Sequence, residues 1–258
     1  MLILCCDGRF TVPILWDTKN ETIVSNESSD IIRMFNAGFN ALLPDELAKI
    51  DLYPAELKAE IDAANEWIYD TVNNGVCESA TVDYCKGAMV DFDSSTDKSG
   101  FASKAAAYET AVTALFKSLD RLETMLEGKD YLIGGKLTEA DVRLYTTIVR
   151  PSVLSRFSPS SFPRLCRLFP PDSVLTSRPK YQVRFDCVYH QHFKCNIGSI
   201  RHNYPQLNRW LKNLYHKNSA FSSTTNFEHI KHHYCTSHPQ INPPRIVPAG
   251  PVPHIEPL

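Results

Sequence analysis

Between Ser103 and Glu127 one apolar stripe repeats without a break: Tyr108, Ala111, Val112, Leu115, Leu119, Leu122 and Leu126 recur at steps of three and four. Only a helix puts residues at that spacing on one face, and Gly128 stands where such a helix would stop. Weaker patterns share the period. Asn26-Glu27-Ser28-Ser29 opens a helix with Ile31, Ile32, Met34 and Phe35 on its apolar side and Ser25 or Asn26 as N-cap. Asp51–Val72 carries Leu57, Ile61, Ala64, Ile68 and Val72, with Pro54 in the first turn. Leu137–Val149 begins at Thr138, with Asp141 standing three residues on in place of the usual Glu of a capping box. Tyr204–Tyr215 and Phe227–Tyr234 are further helical candidates. Against this majority stands one hairpin, in which the β-rich runs Phe10–Asp17 and Thr22–Val24 flank Thr18-Lys19-Asn20-Glu21. The expected class is therefore α+β, mostly α.

Two segments interrupt the pattern. Cys77–Asp97 reads as a loop between helices. Pro151–Arg184 holds Pro151, Pro159, Pro163, Pro170, Pro171 and Pro179, so no helix runs through it, and it is long for a connection in a compact domain. Pro239–Leu258 is proline-rich and almost uncharged, and is expected as an extended tail along the surface. No internal repeat is present.

Composition narrows the function classes. A chain of 258 residues makes one large domain or two smaller ones. A formal charge of −2 gives no reason to expect a nucleic-acid or anionic-membrane partner. No apolar run nears the ~20 residues that span a bilayer. The start, Met1-Leu2-Ile3-Leu4-Cys5-Cys6, lacks the basic region of a secretory signal, which points to the cytoplasm. The eight cysteines form no Cys-x-x-Cys pair and are read as free thiols. His229, His232, His233, Cys235 and His238 are ligand types suited to zinc or copper, but they also suit a solvated helix end, and no metal is expected.

Certain strings are more specific than any period. They are Val12-Pro13-Ile14-Leu15-Trp16-Asp17, Asn26-Glu27-Ser28-Ser29-Asp30-Ile31-Ile32-Arg33, Ile68-Tyr69-Asp70-Thr71-Val72-Asn73-Asn74-Gly75-Val76 and Leu137-Thr138-Glu139-Ala140-Asp141-Val142-Arg143-Leu144. Downstream come His192-Phe193-Lys194-Cys195-Asn196, Asn226-Phe227-Glu228-His229-Ile230-Lys231 and Ser237-His238-Pro239-Gln240-Ile241-Asn242-Pro243. In this order they resemble the Xi class of glutathione transferases, the S-glutathionyl-hydroquinone reductases. The resemblance covers Gly8–Val76, Lys98–Arg150 and Phe185–Leu258.

The resemblance implies a partial thioredoxin-like, glutathione-binding domain over residues 9–40, made of the hairpin and a helix. An all-helical C-terminal domain follows over 51–238, with inserts at 77–97 and 151–184, and then the tail, 239–258. It implies reduction of glutathionyl-hydroquinones by thiol–disulfide exchange, with glutathione as co-substrate, a quinone-derived thioether as the other substrate, no metal, and a homodimer formed through the helical domain. It implies a cis Val12-Pro13 bond whose Val12 backbone pairs with the cysteinyl backbone of glutathione. Ser28 would hold the γ-glutamyl carboxylate at a helix start, Glu27 its ammonium, and Arg9 would touch the tripeptide too. Tyr189 and Tyr234 would complete an aromatic pocket and hydrogen-bond the hydroquinone oxygen or the active sulfur. A third family tyrosine is replaced by Cys77.

The family's nucleophile lies in a Cys-Pro-Trp string, which these residues do not contain; Cys5 and Cys6 have no Pro-Trp after them. The expectation is of a chain truncated at its start and carrying two translated introns. Codons for Cys77-Glu78 and Thr96-Asp97 can supply a donor and an acceptor whose joining restores the tyrosine, and Val149-Arg150 and Gln182 can do the same for the second break. Such a product lacks turnover and stability. The rival expectations are an enzyme using a leader cysteine and a non-catalytic glutathione-binding or dimerisation module.

Overall fold

The hairpin forms from β1 (Leu15–Asp17) and β2 (Thr22–Ser25), antiparallel, with Trp16 opposite Ile23, Asp17 opposite Thr22, and a bulge between Leu15 and Trp16. Asp17 builds the turn. Its carboxylate accepts the backbone N–H groups of Lys19 at 2.8 Å and Asn20 at 3.0 Å, and the Asn20 side-chain amide at 2.7 Å. These bonds, the Asn20 N–H foremost, hold the Asp17 carboxyl below the usual carboxylate range. Glu21 closes the turn with φ 49°.

The computed structural model describes residues 13–73, 105–149, 180–182, 185–239, 241–250 and 252–258. Arg9, Val12, the first insert, all of the second insert but Lys180–Gln182, and Cys5, Cys6, Cys77, Cys85 and Cys166 lie outside them. The chain divides into two units, Met1–Ala59 and Glu60–Leu258.

In the first unit, helix α1 (Ser28–Ala37) is capped by Glu27, not by Ser25 or Asn26. The Ser25 hydroxyl accepts the Glu27 N–H at 3.1 Å, a turn that engages the serine before the helix begins. The next acceptor, the Glu27 carboxylate, takes the Ser29 hydroxyl at 3.1 Å and the Ser29 N–H at 3.4 Å. Of the predicted apolar side, Ile31 is buried and Phe35 is exposed, stacked on Phe39 at 5.3 Å. Beyond α1 come a 3-10 turn, Asn40–Leu42, and the single-turn helix α2 (Asp45–Ala48). Asn36 ties the following loop to α1: its amide donates to Asp51 at 2.8 Å and its oxygen accepts the Leu52 N–H at 2.9 Å. The Arg33 guanidinium lies 4.0 Å over the Tyr53 ring. These bonds lie within the first unit.

The predicted helix Asp51–Val72 resolves into three pieces. Pro54 stands outside a 3-10 turn, Ala55–Leu57; helix α3 (Lys58–Ile68) follows; a π turn, Tyr69–Asn73, ends it. Ile61, Ala64, Ile68 and Val72 are buried as the period requires. Helix α4 (Ala105–Met125) carries the long stripe, with Leu115, Leu119, Leu122 and the adjoining Leu126 fully buried and Gly128 at φ 68° beyond its end.

Helix α5 (Glu139–Val149) begins at the core's central polar contact. One oxygen of the Asp141 carboxylate accepts the Thr138 N–H and hydroxyl, both at 3.0 Å. The other accepts the Leu132 N–H and the Trp210 indole N–H, both at 2.9 Å. Burial raises the pKa of Asp141 even against these four donors. Next in the chain come β3 (Lys180–Gln182), a π turn, Phe185–Tyr189, and helices α6 (Ile200–Asn203), α7 (Pro205–Lys217), α8 (Ser219–Thr224) and α9 (Phe227–Ser237). Glu123 of α4 accepts the Gln206 and Leu207 N–H groups at 2.7 and 2.9 Å, satisfying donors at the start of α7.

The tail is more than a surface strand. Strand β4 (Val252–His254) pairs in parallel with β3, so the second unit is not wholly helical. Beyond β4, Ile255 is buried, Glu256 pairs with Arg201, and the Glu256 carbonyl meets His216 Nε2 at 2.7 Å. Among the described residues no helix is long and apolar enough to cross a membrane.

Candidate functional site

The sequence-predicted site residues fall on both units. In the first, Pro13 lies at the entrance to β1, and Glu27 and Ser28 flank the start of α1; all three are exposed. Ser28 is the first helical residue, where the positive dipole end favours an anion. The Glu27 carboxylate is engaged with Ser29.

In the second unit, Tyr189 ends the π turn and Tyr234 lies on α9. The fold brings them together, edge to face, with ring centroids 6.4 Å apart. Tyr189 is 0% exposed and Tyr234 8%, so both sit within an aromatic cluster. Phe193 touches the two rings at 5.7 and 5.8 Å, and Phe185 meets Tyr189 at 5.7 Å. His238 stacks on Tyr234 at 5.7 Å, and its Nδ1 lies 3.1 Å from the Tyr234 carbonyl. His192 lies 5.4 Å from His238, and burial, aided by His238, pushes it down to about 4; it is neutral at ordinary pH.

Asp186 fixes the π turn from inside. It accepts the Ile200 N–H at 2.8 Å and the Arg201 N–H at 3.2 Å, and burial pushes it up to about 6. Sequence reasoning missed this residue, because a lone acid in a β-rich string carries no periodic signal. The histidines lie within quoted strings, yet nothing in spacing shows that His192 and His238 meet. Cys187, Cys195 and Cys235 are buried. Burial pushes Cys187 up to about 12 and raises Cys235, so both hold their protons at neutral pH. Among the described residues no group of three His, Cys, Asp or Glu is arranged for a metal ion.

Residues 105–164 match the family described as glutathione S-transferase, C-terminal domain. Glutathione S-transferase omega-like 2 of Schizosaccharomyces pombe is 48% identical over 251 residues, covering 96% of this chain and 63% of its own length. The glutathionyl-hydroquinone reductase YqjG of Escherichia coli is 42% identical over 95% of this chain and 56% of its own. The crystal structure of glutathione transferase Xi 1 from Trametes versicolor matches with a TM-score of 0.73 and 52% identity, over 98% of this chain and 68% of that one. This chain belongs to the omega-like, Xi-class glutathione transferases. As a Xi-class chain it pairs part of a thioredoxin-like domain, a hairpin and a helix, with the glutathione transferase helical domain. It spans less than two thirds of the length of the two curated relatives named above. One of the similar Xi-class structures, from Saccharomyces cerevisiae, is a complex with glutathione, at 39% identity and TM-score 0.73 over 98% of this chain and 65% of that one.

Proposed function

We propose that this protein serves the glutathione-dependent reduction of glutathionyl-hydroquinones by thiol–disulfide exchange. The observation that carries the reading is the 42% identity to a glutathionyl-hydroquinone reductase over 95% of the chain. In that chemistry a thiolate attacks the glutathionyl sulfur, and the carbon–sulfur bond to the ring breaks. The ring carbon takes a proton and leaves as hydroquinone. The resulting mixed disulfide is then opened by a second glutathione, which departs as glutathione disulfide.

In this reading Val12 and Pro13 present backbone groups to the cysteinyl unit, Ser28 takes the γ-glutamyl carboxylate, Glu27 the ammonium, and Arg9 assists. Tyr189 and Tyr234 offer phenols to the hydroquinone oxygen or to the reacting sulfur. The attacking thiol is a separate requirement. The 258 residues hold no Cys-Pro-Trp string, and the buried Cys187 and Cys235 hold their protons. In this reading these residues by themselves bind glutathione without turning over. The second reading, a non-catalytic glutathione-binding or dimerisation module, needs no attacking thiol. A homodimer in the cytoplasm belongs to the same proposal.

The test uses the purified 258-residue chain on immobilised glutathione and with glutathionyl-menadione. Retention that Ser28→Ala weakens, without hydroquinone release, is the expected result. Failure to be retained refutes the binding assignments, and release of hydroquinone refutes the lack of turnover.

A further inference from the structure

The loop from Asn36 to Asp51 is pinned shut, yet it buries none of its large apolar side chains. Its ends meet where the Asn36 amide donates to the Asp51 carboxylate at 2.8 Å and the Asn36 oxygen accepts the Leu52 N–H at 2.9 Å. Within it, the Leu43 N–H donates to the Asn40 carbonyl, the Leu47 N–H to the Pro44 carbonyl and the Ile50 N–H to the Leu47 carbonyl, at 3.2, 2.9 and 3.1 Å. A compact loop closed in this way ordinarily packs on its own side chains. Here Phe39, Leu42, Leu43, Leu47 and Ile50 all face water, and Phe35 of α1, stacked on Phe39, joins them. These residues are between 39% and 81% exposed, Leu42 most of all. A single exposed leucine is ordinary, but a cluster of this kind is not. The first unit has no interior to take them: Ile31 is the one large hydrophobic residue buried among its described residues.

Area and charge point to what covers this face. At about 200 Å² for a whole side chain of this size, the cluster leaves roughly 600 Å² open to water, the upper end for a monomer. Two such faces brought together remove roughly 1,200 Å², the area at which specific, stable association begins. Asp45 and Glu46 open the short helix α2, Lys49 caps its end, and all three are exposed. None of them is paired with another described residue. Laid antiparallel against its own copy, α2 sets the acidic end of each chain beside the lysine of the other. A two-fold contact demands this self-complementarity, because both copies offer the same patch.

We propose that the face formed by Phe35, Phe39, Leu42, Leu43, Leu47 and Ile50 is a self-association surface, on which two copies of this chain pair with α2 antiparallel to its copy. The face lies in the first unit, so it is separate from the dimer through the helical domain that the family resemblance implies. A chain that used both would build assemblies larger than a dimer.

The experiment uses the 258-residue chain carrying Trp16→Thr and Ile23→Thr, so that the hairpin does not contribute. Normal and heavy-isotope chains are mixed in equal amounts, coupled with a carbodiimide and digested. The expected links join Lys49 of one isotope to Asp45 or Glu46 of the other. Adding Leu42→Glu with Leu47→Glu removes these links and weakens association, followed by sedimentation, about a hundredfold. The circular dichroism stays that of the parent, because both side chains are already in water. Lys49→Glu alone, and Asp45→Lys with Glu46→Lys alone, each lose association through like-charge contacts; mixed in equal amounts, the two variants regain it. Absence of links between isotopes overturns the proposal, as when the chain covers the face with its own residues. So does a link that survives Leu42→Glu with Leu47→Glu, or a mixture of charge variants that associates no better than either alone.

Discussion

Replacing Asp186 with Asn removes a charge that the fold buries between a π turn and the start of α6. The carboxylate is 2% exposed and accepts the Ile200 and Arg201 N–H groups at 2.8 and 3.2 Å. Burial nevertheless outweighs those bonds and the Arg201 charge, and pushes it up to about 6. A carboxyl raised in this way binds its proton more tightly in the folded chain than in the unfolded one, where its pKa is about 4. The stabilisation it gives is thus full below pH ~4 and is lost as pH rises through about 6. Two pKa units correspond to about 3 kcal/mol. Asn keeps one acceptor of the same shape and has no proton to lose, so its own offset is constant with pH. The stability of the parent minus that of Asp186→Asn should therefore fall by about 2 kcal/mol between pH 4, where the unfolded carboxyl is already half ionised, and pH 7.5. Urea unfolding of both chains at pH 4, 5.5 and 7.5 measures it. A difference flat to within about 0.5 kcal/mol, or one that grows with pH, refutes the reasoning.

Asp141→Ala strands the Leu132, Thr138 and Trp210 donors in the core, and should cost about 3–5 kcal/mol in urea unfolding, against a smaller loss for Asp141→Asn. Leu119→Ala opens a cavity under a fully buried side chain of α4 and should cost about 3 kcal/mol; a loss below ~1 kcal/mol would mean that the stripe is not the centre of the core. On the hairpin, the cross-strand neighbours Trp16 and Ile23 are 45% and 42% exposed, in a sheet that has two strands among the described residues. The 258-residue chain should therefore bind anilinonaphthalene sulfonate and self-associate, and Trp16→Thr with Ile23→Thr should reduce both in dye binding and light scattering.

How far the fold could be read beforehand depended on the range of the interactions. The stripe on α4 and the Thr138–Asp141 cap involve neighbours three or four residues apart, so period and residue type suffice. The cap of α1 was misplaced because Ser25, Asn26 and Glu27 are all competent acceptors, and only the Ser25–Glu27 turn selects among them. The helix expected from Asp51 begins late because Asn36 and Arg33 hold Asp51, Leu52 and Tyr53 in the first unit, a contact across 15 residues and more.

The candidate site divides along the same line. Glu27 and Ser28 were legible as a helix start, and the ordered strings were enough to indicate a glutathione transferase. The family, the helical majority and the hairpin were thus determined by the chain alone, because local pattern and residue order carry them. Only the tertiary structure decided that Tyr189 meets Tyr234, that Asp186 ties its turn to the start of α6, that the Tyr108 hydroxyl donates to the Lys194 carbonyl, and that the tail pairs with β3. Those contacts join residues from 14 to 86 positions apart, and their energies exist only once packing has excluded water between them.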